Sequence, residues 1–513
     1  MVNKNGSDIM LELASNIGFA AGSGAPNSQT LAGFNGVSYS ATADILPTRQ
    51  ILVSRARQLD MTCPLASAAI DRMTGGIIGA GLTYAVSDTS EFFENEFYKA
   101  LTDELKRLLK RRSISRLFDA QCRLTFNQIQ EMACRNWLLS GDVFFVRRQQ
   151  PNGAFAWRAI ESDRVMSPYY MFSPDSTENG MSFYALINPD TGNRIIDGVE
   201  LDDDASPVAY WVVKDYIDKP LLMTPEQIER IPSHDSDGLP VMIHLFKPTR
   251  PDQYRGVPLL ANVIETLHNT RNYAQAELQA AIFQSAVWGF FTSNNPTSDE
   301  TVPLSDGYLD EKIPLNEEAV KEDLQLSPYT QSRTNSIKSQ LFPTAKVMSA
   351  GQFQHLAEGE DVKFLQSTHP NNNFDAFMKA HNLSVASSIG IPRQVLECSY
   401  DGTYASARGS VLEANRTFKA YRSYFIESFL KPLFEVFAYE VVDELGGFDD
   451  PLFVARALSI ESVWQAPAAL CLDPRAELEG ARIAIEMGLI DADEAAQMIY
   501  GHKAKRGANV ENI

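Results

Sequence analysis

The spacing of apolar residues changes character several times along the chain. From Thr48 to Asn136 apolar positions recur three and four apart, the period of an amphipathic helix. RQILVSRARQLDMTCPLASAAIDRMTGGIIGAG runs this way until a glycine cluster stops it. EFFENEFYKALTDELKRLLKRRS and TFNQIQEMACRNWLLSGD repeat the pattern, the second ending at Gly141. Short runs of β-branched and aromatic residues follow: VFFVRRQ, AFAWRAI, SFYALI, VAYWVV and MIHLF, divided by turn clusters such as NPDTGN and LDDDASP. A helical frame followed by a mixed sheet predicts an α+β architecture up to about residue 250.

The next stretch, HLFKPTRPDQYRGVPLLANV, reads as a stiff elbow. Pro248, Pro251 and Pro258 restrict its backbone, and Gly256 between them offers a positive φ. Pro258 suits the first position of a helix over 258–291, with Leu260, Ile264, Leu267, Ala274, Leu278, Ala281 and Trp288 on one buried stripe. Such a helix is about 50 Å long. The pattern breaks over 293–366 and resumes as a helix over 371–390, which halts at Gly390. A loop at 391–405 leads into a long helix over 406–445 that Pro432 should kink or interrupt. Residues 446–513 are mostly helical in pattern, and residues 1–45, rich in Gly, Ser, Ala and Asn, read as a flexible arm.

Composition narrows the function classes. The chain has 513 residues, enough for three or four structural units, and its 44% apolar and 21% charged content is that of a folded protein. Its net charge of −20 argues against a protein whose main task is gripping nucleic acid, since phosphate affinity needs clustered cations. Cys63, Cys122, Cys134, Cys398 and Cys471 form no CxxC pair, so neither a zinc site nor a disulfide framework is signalled. The amino terminus lacks the pattern of a secretory signal, and the longest apolar run, near 281–291, is too short to span a bilayer.

Several local features carry a plain reading beside a functional one. GGIIGAG at 75–81 lacks phosphate-loop spacing and reads as a helix end and turn. His234, Asp235 and Asp237 sit in a Pro/Ser/Gly-rich loop with no further ligand nearby, and Asp202–Asp204 reads as a turn. Between Asp299 and Asp323 nine carboxylates face only two lysines, as a solvated surface or a docking patch. Arg250 and Arg255 are either solvated loop cations or partners of carboxylates in the same or a neighbouring subunit. No nucleotide-loop, HExxH, GxSxG or CxxC signature is found, so no cofactor, metal or catalytic site is assigned. A hydrolase or nuclease with a scattered catalytic site is the alternative of another class, and a monomeric scaffold is a third.

Six ordered segments between about residues 50 and 495 resemble the lambda-type portal proteins of tailed bacteriophages. They are RARQLDMTCPLASAAIDRMTGGIIGAG, FNQIQEMACRNWLLSGDVFFVRR, GVELDDDASPVAYWVV, IHLFKPTRPDQYRGVPLLANVIETL, IGIPRQVLECSYDGTYASARGSVLEANR and LDPRAELEGARIAIEMGLIDADEAA. The most specific are the elbow and YASAR, where Ala405 stands in place of a serine usual in the family.

The resemblance implies a portal-type fold. Its parts are an α/β wing (46–257), two stem helices (258–291 and 371–390) and a small α/β clip insertion between them (292–370). A tunnel loop (391–405), a long helix returning to the wing (406–445) and a helical crown (446–513) follow. It also implies a non-enzymatic homo-oligomeric ring, commonly of twelve copies, at one capsid vertex. Double-stranded DNA would pass through it in packaging and ejection. Its implied partners are the major capsid protein, the terminase large subunit and head–tail adaptor proteins, with no membrane. Carried onto this chain, Asp401, Gly402, Thr403 and Tyr404 are tunnel-loop candidates, and Arg408, Glu413 and Arg416 fall within the matched segment. Arg250, Asp252, Arg255, Gly256 and Pro258 are candidates for the wing–stem elbow and inter-subunit contacts. Asp299, Glu300, Asp306, Asp310 and Glu311 are candidates for docking the motor or adaptor.

Overall fold

A computed structural model describes residues 39–86, 96–150, 154–169, 185–216, 223–286, 290–293, 360–363, 374–400, 402–444, 462–466, 474–492 and 495–496. It is a mixed helix and strand protein whose chain divides into two compact units, one of residues 1–267 with 383–513 and one of residues 268–382.

In the first unit the helical frame comprises α1 (Ala41–Thr62), α2 (Pro64–Ile78), α3 (Glu96–Ile114) and α4 (Phe126–Ser140). Ser40 caps α1 by accepting from the Ala43 amide at 3.2 Å, and Leu46, Arg49, Val53, Ala56 and Leu59 form its buried face. A one-residue break at Cys63, with Pro64 opening the next helix, turns the chain from α1 into α2. The GGIIGAG stretch is indeed a helix end: α2 stops at Ile78, with Gly79 and Gly81 at positive φ. Gly76 in that stretch has a packing role, since a Cβ there would lie 2.5 Å from the Phe418 ring. α4 opens with the Thr125 amide donating to Gln128 Oε1 at 2.9 Å and ends at Gly141, φ +86°.

Two antiparallel sheets follow. β2 (Asp142–Gln149) lies between β3 (Phe155–Glu161) and β9 (Met242–Phe246). A five-stranded meander runs β4 (Ala185–Ile187), β5 (Arg194–Ile196), β6 (Val199–Leu201), β7 (Pro207–Val213) and β8 (Ile228–Pro232) in sequence order. The period of two decides what β2 buries. Val143 and Phe145 point into the large helical core, where Phe145 meets Phe429 with ring centroids 4.7 Å apart. Phe144 and Val146 point the other way, into a second core shared with Val199, Tyr210, Val212 and Met242. Asp142, two residues before Phe144, therefore starts the strand on the face of the second core.

The chain returns to this unit after residue 382. There it forms the end of α6 (Phe374–Ile389), α7 (Arg393–Glu397), α8 (Tyr404–Phe425) and α9 (Lys431–Glu444). Between α8 and α9 one π turn, Ile426–Leu430, accommodates Pro432, whose missing N–H breaks the regular ladder one turn back. The predicted interruption is thus a wide turn that keeps Phe425 and Phe429 fully buried. β12 (Ser462–Gln465) pairs with β1 (Thr83–Val86), and α10 (Pro474–Glu486) follows.

The second unit holds most of α5 (Ile264–Ala286), the antiparallel pair β10 (Phe290–Ser293) and β11 (Glu360–Lys363), and the first part of α6. Tyr273 meets Phe374 and Phe377, with ring centroids 5.6 and 4.6 Å away. Two sequence expectations are corrected here. Pro258 is not the first helical residue, because a 3-10 turn over Ala261–Val263 precedes α5. Nor is the apolar stripe buried throughout: Leu260 and Leu267 are, whereas Leu278 is 61% exposed. Trp288 lies outside the described residues, as does nearly all of 292–370.

Candidate functional site

The elbow closes over a buried ionic cluster drawn from six segments of the chain. Asp142 comes from the start of β2, Ser162 from the turn after β3, and His244 from β9. Asp197 comes from the two-residue Asp197–Gly198 turn between β5 and β6, where both residues have positive φ. α1 contributes Arg49, and the elbow contributes Arg255.

Arg255 is 0% exposed in its side chain and spends its donors within the chain. Its Nε donates to Asp142 Oδ2 at 2.7 Å. Its Nη1 donates to the carbonyls of Val165 and Asp197 at 2.8 and 2.6 Å and to Asp197 Oδ2 at 3.0 Å. Its Nη2 donates to the Ser162 carbonyl at 2.8 Å and to Ser162 Oγ at 3.1 Å. Arg49 reinforces the same acceptors, donating from Nε to Asp197 Oδ2 at 2.7 Å and from Nη1 to Ser162 Oγ at 2.8 Å. Ser162 Oγ in turn donates to Asp142 Oδ1. Two guanidinium groups thus face two carboxylates in a site closed to water, the arrangement a buried charge requires.

Burial alone would raise the Asp142 carboxyl. The Arg255 guanidinium, then His244 and Arg49, outweigh it and hold Asp142 well below the usual carboxylate range. His244 sits between the rings of Phe144 and Phe246, with centroids 4.1 and 4.2 Å away. Its Nε2 lies 3.6 Å from Asp142 Oδ2, beyond hydrogen-bond reach. Burial pushes its pKa down to about 4 against the pull of Asp142, so the ring is neutral at pH 7.

The elbow's glycine has a different cause from the one its sequence suggests. Gly256 does not have a positive φ. It is a glycine because a Cβ there would lie 1.9 Å from the Gly141 carbonyl oxygen, while a Cβ on Gly141 would lie 2.5 Å from the Val257 backbone. Two backbones cross in contact at these glycines, and the Gly256 amide donates to Asp142 Oδ2 at 3.2 Å. The positive φ in the elbow belongs to Asp252, whose carbonyl accepts from Thr42 Oγ1 at 3.1 Å. Gln253 is buried and stiffens the turn: its Oε1 accepts from the amides of Thr249 and Arg250, and its Nε2 donates to the Arg255 carbonyl at 2.9 Å. Pro258 is buried, and the next amide, Leu259, donates to the Leu138 carbonyl at 2.8 Å.

The two arginines of the motif part company. Arg250 is half-exposed, pairs with Asp44 and donates to the Tyr39 carbonyl at 2.7 Å, fastening the start of α1. Arg255 has no exposed atom to offer a neighbour, so an inter-subunit role for it is corrected to an intrachain one. Sequence reasoning also missed Arg49, Asp142, Ser162, Asp197, His244 and Gln253. The signals were a charged residue directly after a helix-stopping glycine, a histidine inside an apolar strand, and a DG turn.

The other candidates lie apart from this cluster. The segment 391–405, read from sequence as a loop, holds α7 and the first residues of α8; between the two helices Gly402 has φ +148°, Thr403 caps α8 by accepting from the Ser406 amide at 3.4 Å, and Tyr404 is exposed. Asp401 lies outside the described residues, as do Asp299, Glu300, Asp306, Asp310 and Glu311. α8 holds the loop through Thr417 Oγ1, which donates to the Gly390 carbonyl at 2.6 Å, and through Ser410 Oγ, which donates to Gln394 Oε1. Arg408 is exposed, and Arg416 pairs with Glu413 across 3.5 Å on the surface of α8. The 234–239 loop is ordered by Asp235, which accepts from the amides of Asp237 and Leu239 and pairs with Arg147. Among the described residues no group of three His, Cys, Asp or Glu side chains is placed to hold a metal ion, and no helix is long and apolar enough to cross a membrane.

The chain was compared with known families and structures. It is 24% identical over 407 residues to the probable portal protein of Halomonas phage phiHAP-1, covering 76% of this chain and 66% of that protein. It is 21% identical to portal protein B of Escherichia phage lambda, covering 77% of this chain and 68% of that protein. The chain therefore spans about two thirds of the length of these relatives. Among solved structures, a chain from the neck of an empty gene transfer agent particle aligns over 91% of this chain and 96% of its own length, with 15% identity and a TM-score of 0.45. An HK97-family portal protein from Corynebacterium diphtheriae aligns over 83% and 97%, with 12% identity and a TM-score of 0.32. The profile of the phage portal proteins, lambda family, matches residues 27–422, more than three quarters of the sequence, and on that match the chain belongs to the lambda family of phage portal proteins.

Proposed function

We propose that the chain is one subunit of a ring, commonly of twelve copies, that sits at one capsid vertex and conducts double-stranded DNA into the particle and out again. The observation that carries this reading is the family match over residues 27–422. The second unit supports it. Leu278 and Ile282 on its first helix are 61% and 58% exposed in a lone chain, and a ring would cover such side chains with a neighbour. In this reading α5 and α6 are the stem, the residues between them the clip, 46–257 the wing and 446–513 the crown.

A net charge of −20 per subunit keeps the passage from holding phosphate, which a conduit requires. Gly402, Thr403 and Tyr404, with Asp401 beside them, are the residues offered to the passing duplex. The work of packaging comes from an ATPase, the terminase large subunit, for which the acidic stretch from Asp299 to Glu311 is the docking candidate. Head–tail adaptor proteins follow it there, and the major capsid protein holds the wing. The subunit itself catalyses no reaction. It is assembled in the host cytoplasm and resides in the virion.

Native mass measurement with negative-stain imaging tests the reading. Rings with a central hole wide enough for B-form DNA are the expected result. A 57.0 kDa species that cleaves DNA in an EDTA-sensitive manner would overturn it.

A further inference from the structure

The described surface carries one patch whose sign opposes that of the whole chain. Between Lys106 and Leu117 there are six cations, Lys106, Arg107, Lys110, Arg111, Arg112 and Arg116, and no carboxylate. They occupy the second half of α3 and the turn after it. Lys106–Lys110 and Arg107–Arg111 are i,i+4 pairs, so the cations form two parallel rows about 6 Å apart per step along the exposed face. Like charges at this spacing repel and weaken the helix that holds them. The repulsion is relieved only in part. Lys106 pairs with Asp103 at 3.8 Å and Arg107 with Glu104. Arg112 turns inward, donating to Glu440 Oε2 and to the Phe155 carbonyl, each at 2.6 Å. Lys110, Arg111 and Arg116 are exposed, and among the described residues no carboxylate pairs with them.

From this placement we infer that the exposed end of α3 and the turn after it, through Lys110, Arg111 and Arg116, bind the phosphate backbone of duplex DNA without regard to sequence. The choice of occupant follows from charge and from form. A regular row of exposed cations neutralises a regular row of phosphates, and the mixture of Lys and Arg makes no demand on base identity. The chain as a whole, at a net charge of −20, repels a polyanion, so any hold on DNA must come from a local patch of this kind. The inference rests on the portal reading only in that duplex DNA is then present. It adds a second kind of contact, a weak grip on the body of the subunit, to a passage that lets DNA slide.

Ile114 and Leu117 lie exposed at the end of the patch and supply the control, because apolar anchors would serve a protein partner and not phosphates. Binding of a short fluorescent duplex of random sequence to the full chain is followed by anisotropy over a series of salt concentrations. The Lys110→Ala/Arg111→Ala/Arg116→Ala variant should bind about tenfold more weakly at low salt. Its slope of log K against log salt should be shallower by about 0.9 for each phosphate contact removed. Ile114→Ser/Leu117→Ser should bind within about twofold of the parent, and urea midpoints of both variants should match it. Equal affinity and slope for parent and triple variant would sink the inference. So would an equal loss in the apolar variant, which would show that the cations are not what holds the duplex. The duplex assay reads this face whether or not the chain closes into a ring, so its failure leaves the conduit reading standing, and the reverse.

Discussion

The elbow and the start of α8 come from the two most distinctive stretches of the sequence, and they spend their polar groups in opposite ways. At the elbow Arg255 and Asp142 are both 0% exposed, and the hydrogen bonds of Arg255 return to its own chain. On α8 the paired Arg416 and Glu413 are 81% and 61% exposed. The first arrangement fixes the path of a backbone; the second leaves side chains for something outside the chain. A distinctive motif therefore does not by itself mark a contact surface. Burial decides which kind it is, and burial depends on which distant segments arrive.

Removing Arg255 is the severest way to break the comparison. Arg255→Ala would leave Asp142 and Asp197 buried with only Arg49 to answer them, and losing one partner of a buried ionic group costs about 3–5 kcal/mol. The urea midpoint should fall accordingly, with loss of soluble protein in cells. Arg250→Ala, five residues earlier in the same motif, should cost no more than about 1 kcal/mol, because its pair with Asp44 is half-exposed and screened. Similar losses from the two variants would dissolve the distinction.

Gly256→Ala comes next. Its new Cβ would meet the Gly141 carbonyl oxygen at 1.9 Å, a backbone atom that cannot swing away, so a loss at the upper end of overpacking, about 3 kcal/mol, is expected. Gly409→Ala, at an open position on α8, is the control and should stabilise or be neutral, since alanine is the better helix former.

His244 sharpens the comparison through pH. Its folded pKa of about 4 lies below the ordinary 6.5, so the unfolded chain takes up a proton that the folded chain refuses. Its contribution is therefore present above pH 6.5 and is lost as pH falls towards 4, by up to about 3 kcal/mol. Asp142, held well below its ordinary range, adds a further loss at still lower pH, in the same direction. His244→Phe keeps the ring stacked between Phe144 and Phe246 and removes the titration. Its urea midpoint should decline less than the parent's between pH 6.5 and 4, with little difference at pH 7.5. Parallel curves would show that the histidine is not the group responsible.

These cases show how much the sequence reveals and why the rest stays hidden. Periodicity located the helical frame, the strands β2, β3, β7 and β9, and the break ahead of α9, because those signals are local. It placed Pro258 at a helix start and ran the buried stripe past Leu267, since spacing reports which residues share a face but not what covers it. The motif pointed at Gly256 and gave the wrong reason, because a close approach to Gly141 is a fact about two segments more than a hundred residues apart. Arg250 and Arg255 look alike in sequence for the same cause. The partners that separate them, Asp44 on one side and Asp142 with Asp197 on the other, are brought by the fold.

The smallest expected effect on stability carries the most functional weight. Tyr404 is 52% exposed at the first turn of α8, where Thr403, not Tyr404, makes the cap. Tyr404→Ala should leave the urea midpoint within about 0.5 kcal/mol of the parent, as surface changes away from caps and cores do. If the loop faces the passing duplex, the same variant should assemble normally yet alter the amount of DNA retained in particles, measured as genome length per filled head. A variant equal to the parent in both stability and packaged length would remove Tyr404 from the conduit. A variant that instead lowered the midpoint by 2 kcal/mol or more would place the loop with the elbow, as a part that shapes the chain.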